Sequence, residues 1–60
     1  MKRFMVIYVI DGEQSAYFTD DYIQAEQFRM DCECGMGGYA EVYERQTDAD
    51  GVDSYVFSYA

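Results

Sequence analysis

Two cysteines separated by a single residue are the most reactive side chains in this sequence. Cys32 and Cys34 flank Glu33, and zinc, a metal often held by such thiol pairs, requires four ligands. The 60-residue chain has no histidine and no second cysteine pair. Residues two apart on a helix point about 200° from one another, so these thiols neither chelate one ion nor bridge each other. We therefore predict no metal and no cofactor, with reduced thiols and Cys32 in the core; an intermolecular disulfide or a metal shared between chains is the alternative.

An acidic loop near the end of the chain has part of the spacing of a calcium-binding loop. Its sequence is DADGVD, at positions 48–53. Aligning Gly51 with the invariant glycine of such loops puts Gln46 at the first ligand position and Phe57 at the position of the bidentate glutamate. The pattern fails at both ends, so we predict a solvated hairpin loop.

Residue types needed for catalysis are scarce. The glycine run at positions 35–38 is not preceded by a predicted strand, and no lysine follows it, so it does not form a phosphate loop. Carboxylate pairs occur at Asp20 with Asp21 and at Glu41 with Glu44. So short a chain has too little polypeptide to enclose a dry cleft around them. We predict a protein that is not an enzyme.

The charge of the chain is strongly negative. Twelve acidic residues against four basic ones give a formal net charge of -8. Such a charge disfavours nucleic acid and anionic membranes as direct ligands and favours basic partners. The acids either confer solubility or present carboxylates, like a row of phosphates, to a protein that normally holds nucleic acid. For the second role we predict a partner-binding acidic surface made of Glu26, Asp31, Glu33, Asp48, Asp50 and Asp53.

The elements that position these residues begin with a hairpin. Residues 2–10, KRFMVIYVI, form a continuous apolar run rich in β-branched and aromatic residues. This run predicts an interior strand covered on both faces, or nearly so. Asp11 and Gly12 are the preferred pair for a tight turn. A short return strand at residues 15–18 then forms an edge of the sheet.

A single helix follows, predicted over residues 20–34 with Thr19 or Asp20 as its cap and Gly35 as a left-handed stop. At 100° per residue, one apolar stripe faces the sheet; it consists of Tyr22, Ala25, Phe28, Cys32 and Met36. A second, weaker apolar line lies almost opposite. This outer helix line is Ile23, Met30 and Cys34, and it is either a set of scattered surface residues or an interface with a partner or second copy.

The chain closes with a second hairpin, predicted as strands over residues 39–46 and 52–59. Residues 1–60 therefore form one domain of the α+β class, ββαββ, with the helix packed on one face of a four-stranded, mainly antiparallel sheet. Several tyrosines line the face without the helix, which is either wet or a binding surface. No apolar run reaches the length of a transmembrane helix, and the basic start lacks a cleavage site, so we expect a cytoplasmic protein.

The segment CECGMGGYAEVYER at positions 32–45, with the chain length and two-hairpin layout, resembles short acidic proteins encoded by bacteriophages and other mobile elements. That group includes anti-CRISPR and anti-restriction inhibitors, some of which mimic DNA through surface carboxylates. The resemblance implies an inhibitor that acts in the bacterial host cell on a protein with a basic nucleic-acid-binding surface, such as a Cas or restriction component. The alternative is a small assembly module that dimerises or docks through the outer helix line or the tyrosine-rich sheet face.

Overall fold

The computed structural model describes residues 1–35 and 37–58, which form one sheet with a helix on one of its faces. The sheet is antiparallel throughout, and its strands lie in the order β2-β1-β3-β4. The predicted ββαββ fold is confirmed. The elements in chain order are β1 (Phe4–Ile10), β2 (Glu13–Thr19), α1 (Tyr22–Met30), β3 (Tyr39–Thr47) and β4 (Asp53–Phe57).

The first hairpin places β1 inside the sheet, as its apolar sequence predicts. β1 pairs with β2 on one side and β3 on the other. Asp11 and Gly12 both have positive φ, 54° and 81°, which suits a two-residue turn because its twist matches that of the strands. Pairing therefore starts next to the turn, at Ile10 with Glu13. β2 consequently has seven residues and is longer than the predicted segment 15–18.

The helix begins later than predicted, because its N-cap is Asp21 rather than Thr19 or Asp20. Its side chain accepts the backbone N–H of Ile23 at 2.9 Å. The predicted caps have other partners: Thr19 accepts the N–H of Asp21 through its hydroxyl, and Asp20 accepts the N–H of Arg3 at 3.0 Å. Asp20 thus ties the end of β2 to the start of β1.

The α-helix ends at Met30, short of the predicted residue 34, and continues as one wider π-helical turn over Asp31–Gly35. The predicted left-handed stop at Gly35 is wrong, since the left-handed glycine after the helix is Gly37, with φ 67°. The N–H of Gly38 then donates to the carbonyl of Cys32 at 2.7 Å and turns the chain into β3. The predicted contribution of Met36 lies outside the described residues.

The core lies between the inner stripe of the helix and one face of the sheet, as predicted. Its buried residues are small, except for one ring: Phe4, Val6, Ala25, Cys32, Ala40 and Val42. Three half-buried rings enclose this core. Phe28 stacks on Tyr17 with centroids 4.3 Å apart and meets Tyr8 edge-on at 4.9 Å. The rings supply the apolar area that the small buried residues lack.

β1 was predicted to be covered on both faces, or nearly so, and all its residues are buried or half-buried, but the helix covers only one of the two faces. Its even-numbered residues, including Val6 and Tyr8, belong to the core or pack against it. Its odd-numbered residues, Met5, Ile7 and Val9, point to the face without the helix, because side chains alternate along a strand. The chain described in residues 1–35 and 37–58 has one helix, which is enough to cover one face of the sheet. The last strand also ends earlier than predicted, and the predicted Tyr59 lies outside the described residues.

Candidate interaction surfaces

The sheet face turned away from the helix carries many apolar side chains, together with the charged residues Glu41, beside Ile7, and Arg45, beside Tyr55. Strand register brings Met5 between Phe18 and Tyr43, and Ile7 beside Ala16. We call this surface the open face and define it by Met5, Ile7, Val9, Ala16, Phe18, Tyr39, Tyr43, Tyr55 and Phe57.

Aromatic rings dominate the exposed area of the open face. Phe18, Tyr39 and Phe57 keep 48%, 55% and 47% of their surface exposed. Phe18 on one edge strand and Tyr55 on the other approach to 6.0 Å between ring centroids, and Tyr43 meets Phe57 at 5.6 Å. This face therefore carries two ring pairs, one of which joins the two edge strands. An exposed apolar area of this kind marks an interaction site more often than isolated exposed residues do.

Hydrogen bonds from polar groups occur near both ends of the open face. The phenol of Tyr55 donates to the backbone carbonyl of Lys2 at 2.7 Å, and the guanidinium of Arg45 donates to the carbonyl of Met1 at 2.7 Å. Near the other end, the hydrogen bond to the Glu41 carboxylate raises the pKa of Tyr39, with burial adding to the effect. The hydrogen bond to Lys2 restricts the orientation of the Tyr55 ring.

The predicted acidic surface is divided between two ends of the sheet. Asp31 and Glu33 follow the helix, at the end where β1 finishes and Gly38 approaches Val9. The other group, Asp48, Asp50 and Asp53, lies at the tip of the β3–β4 hairpin. That hairpin extends past the start of β1, since β1 pairs with β3 only as far as Glu44 while β3 and β4 pair on to Thr47. The six predicted acids do not form one row.

Two of the predicted acids share a single cation. Arg29 donates through one nitrogen to Glu26 at 2.8 Å and through the other to Glu33. The hydrogen bond to Glu26, followed by the one to Glu33, raises the pKa of Arg29 despite opposing desolvation. The triad carries one net negative charge, and both of its carboxylates are already paired with Arg29, so neither is an isolated anion on the helix surface.

The hairpin acids have structural roles in the turn. Asp48 accepts the backbone N–H groups of Asp50 and Val52, each at 2.9 Å, and Asp53 accepts the hydroxyl of Thr47. These bonds define the predicted hairpin loop. Across residues 1–35 and 37–58, Asp31 and Asp50 form no ion pair, so both are free to meet a basic partner.

The outer helix line is exposed, as its position opposite the core stripe requires. Ile23 and Met30 are 69% and 53% exposed, and Cys34 is exposed in the π-helical turn. This line has three members spread over the helix, whereas the open face has rings in contact with one another. Sequence reasoning recognised the tyrosines of the open face but missed Met5, Ile7 and Val9. The sequence did contain a signal for these residues: β1 is apolar on both faces, and a single helix covers only one of them.

The two cysteines differ in their surroundings. Cys32 is buried under the helix, and burial, followed by the negative charges of Asp31 and Glu33, raises its thiol pKa. Cys34 is exposed, and both thiols are free. Among the described residues, no three Asp, Glu or Cys side chains converge in a way that could hold a metal ion.

No helix in the described part of the chain has the length and apolar character needed to cross a bilayer. Comparisons with protein-family models, with curated proteins and with solved structures find no match to this chain.

Proposed function

We propose that this protein is a non-enzymatic binding module that docks on another protein through the open face. The observation that supports it is the odd-numbered face of β1, which lies opposite the helix and holds half-buried apolar side chains. Antiparallel sheets that face water on one side usually alternate apolar and polar residues. β1 instead has Met5, Ile7 and Val9 where polar residues would be expected. Covering this face with a partner would complete a second apolar layer.

The rings supply enough area to drive such docking. Covering the exposed halves of Phe18, Tyr39 and Phe57 removes roughly 300 Å² from water, if each ring contributes about 100 Å². At about 25 cal/mol per Å², this is on the order of 7 kcal/mol before the costs of association. The net charge of -8 selects a basic protein as partner and speeds its encounter with the module.

A comparison of baits tests this function. The open-face variant carries Phe18→Ser and Tyr39→Ser, and its matched control carries Ile23→Ser and Met30→Ser on the outer helix line. All four side chains are exposed, so both double variants should remain folded, which circular dichroism verifies. Proteins captured from a bacterial lysate by each bait are identified by mass spectrometry and then purified for direct titration.

The expected result is one identified basic protein that binds the wild type and the helix-line variant but binds the open-face variant at least tenfold more weakly. A partner that binds the open-face variant as tightly as the wild type would refute the open face as the docking surface. A partner lost only by the helix-line variant would assign docking to Ile23, Met30 and Cys34 instead.

A second candidate is an inhibitor of the phage type that occupies a basic, nucleic-acid-binding surface of a bacterial defence complex. The net charge of -8 favours it, together with Asp31 and Asp50, which lack ion pairs among the described residues. Here the carboxylates would compete with phosphates, in the cytoplasm of the host cell. Binding would then weaken steeply as salt rises, because exposed charges are screened.

Charge reversal separates this candidate from the first. Asp31→Lys with Asp50→Lys removes acids that bond to no other side chain in the described chain, whereas reversal of Asp48 would also break the turn. Carboxylate mimicry predicts that the double reversal abolishes competition with DNA for the captured protein. Unchanged competition, together with weak dependence on salt, would exclude mimicry and leave docking through the open face.

A further inference from the structure

The outer edge of β2 is an unusual strand edge. β2 is the terminal strand of the sheet and pairs with β1 over all seven residues, Glu13–Thr19. No strand within residues 1–35 and 37–58 pairs with its other side. Soluble proteins usually block such edges with several charges, a proline or a bulge. β2 has one charged residue, Glu13, and the chain has no proline.

The alternation of backbone hydrogen bonds along the strands shows which backbone groups face outward on this edge. The N–H of Arg45 donates to the carbonyl of Arg3 at 2.7 Å, so odd-numbered residues of β1 bond to β3. Even-numbered residues of β1 therefore bond to the odd-numbered residues of β2. The backbone N–H and C=O groups of Gln14, Ala16 and Phe18 consequently point away from the sheet.

These outward groups are arranged symmetrically about the centre of the strand. Ala16 is the middle residue of β2, with Gln14 and Phe18 two positions to either side. A second β2 strand, antiparallel and related by a two-fold axis at Ala16, would pair Ala16 with its own copy and Gln14 with Phe18. In all three pairs the backbone N–H and C=O groups of both residues would face the other strand, as interstrand hydrogen bonds require. Glu13 would face Thr19, so no like charges would meet directly.

We propose that two copies of this chain associate edge to edge through β2, with Ala16 on the two-fold axis. Small central side chains allow the strands to approach closely. The product is an eight-stranded sheet with both helices on one side and the two open faces continuous on the other. This goes beyond docking through the open face, which requires no second copy, and it leaves that face uncovered.

Charge gives the dimer a distinctive dependence on salt. Each copy has a net charge of -8, so screening of their repulsion should tighten the dimer as salt rises to physiological levels. Binding to a basic partner has the opposite dependence. A salt titration can therefore distinguish failure of the β2 dimer from failure of docking on a basic partner.

Amide hydrogen exchange followed by NMR, in dilute and concentrated samples, tests the interface. We expect the amides of Gln14, Ala16 and Phe18 to become protected as concentration rises, in parallel with growth beyond 7.0 kDa in sedimentation. The amides of Ser15 and Tyr17, which bond inward to β1, provide the internal control and should be protected at every concentration. A dimer that leaves the three outward amides unprotected would overturn the proposal, as would a strict monomer at millimolar concentration.

A matched pair of variants completes the test. Ala16→Lys places two lysines opposite each other at the two-fold axis and should weaken the dimer about tenfold or more. Ala49→Lys makes the same change of charge in the β3–β4 loop and should leave the dimer intact or slightly tighter. Both alanines are exposed, so neither variant should unfold. Equal dimer affinities for the two variants would also overturn the proposal.

Discussion

Replacement of Gly38 by alanine should destabilise the protein through a contact with the end of β1. A β-carbon at this position would lie 2.5 Å from the backbone oxygen of Val9 and 2.9 Å from Cγ1 of Ile10. The side-chain contact can relax by rotation, but the backbone oxygen is held in the sheet. Either β1 or the turn after the helix must therefore shift by several tenths of an ångström.

The expected cost is about 1–3 kcal/mol, the usual range for overpacking. Domains of this size have roughly 3–9 kcal/mol of stability, and each kcal/mol corresponds to a change of about 4–8 °C in Tm. We expect Gly38→Ala to lower Tm by about 5–20 °C, measured by circular dichroism with a urea titration for the free energy of unfolding.

Gly35→Ala is the matched control. No atom lies within 4 Å of the β-carbon that this substitution would add, and Gly35 does not have a positive φ. Alanine there should be neutral or slightly stabilising, because it reduces the entropy of the unfolded chain. Equal changes in Tm for the two variants would refute the close packing of Gly38 against β1.

Three further predictions follow from the core, the start of the sheet and the thiols. Val6→Ala should lower the free energy of unfolding by about 2–3 kcal/mol, since it removes two buried methyl groups and leaves a cavity. Val52→Ala, at an exposed position, is the control and should change the free energy of unfolding by less than about 0.5 kcal/mol. Hydrogen bonding to the Arg3 N–H and pairing with Lys2 lower the pKa of Asp20, so its stabilisation is present above the ordinary carboxyl pKa and is lost as pH falls through the lowered value. Thermal melts of Asp20→Asn between about pH 6 and pH 2 should therefore show a smaller loss of stability than the wild type. Iodoacetamide should modify exposed Cys34 in the folded protein and buried Cys32 only after denaturation, as counted by mass spectrometry; equal rates at the two thiols would contradict the burial of Cys32.

The fold was predictable because its main signals are local in the chain. The apolar run of β1, the Asp11–Gly12 turn and the 3.6-residue spacing of Ala25 and Cys32 each indicate one element. The N-cap was not predictable, because three candidate residues in a row, Thr19, Asp20 and Asp21, have suitable side chains. Asp20 bonds instead to the backbone of Arg3, which is distant in sequence, while Asp21 caps the helix.

The surfaces were less predictable than the fold. Sequence spacing places Glu26 and Glu33 on the helix, but it does not reveal that Arg29 bonds to both of them. The β1 residues of the open face were not predicted, because an apolar run alone does not show which elements cover each side of a strand. Long-range packing decides both questions.

The two apolar faces of β1 have a consequence for how the strand finds its register during folding. A slip by one residue usually exchanges apolar for polar side chains and is penalised strongly. In β1 the slip would exchange Val6 and Tyr8 for Ile7 and Val9, with little change in hydrophobicity. The correct alignment must then be selected by neighbours, namely the tight turn before β2 and the close approach of Gly38 to Val9. The specificity of this sheet therefore resides in its connections, and lengthening either one should produce misaligned strands before it produces an unfolded chain.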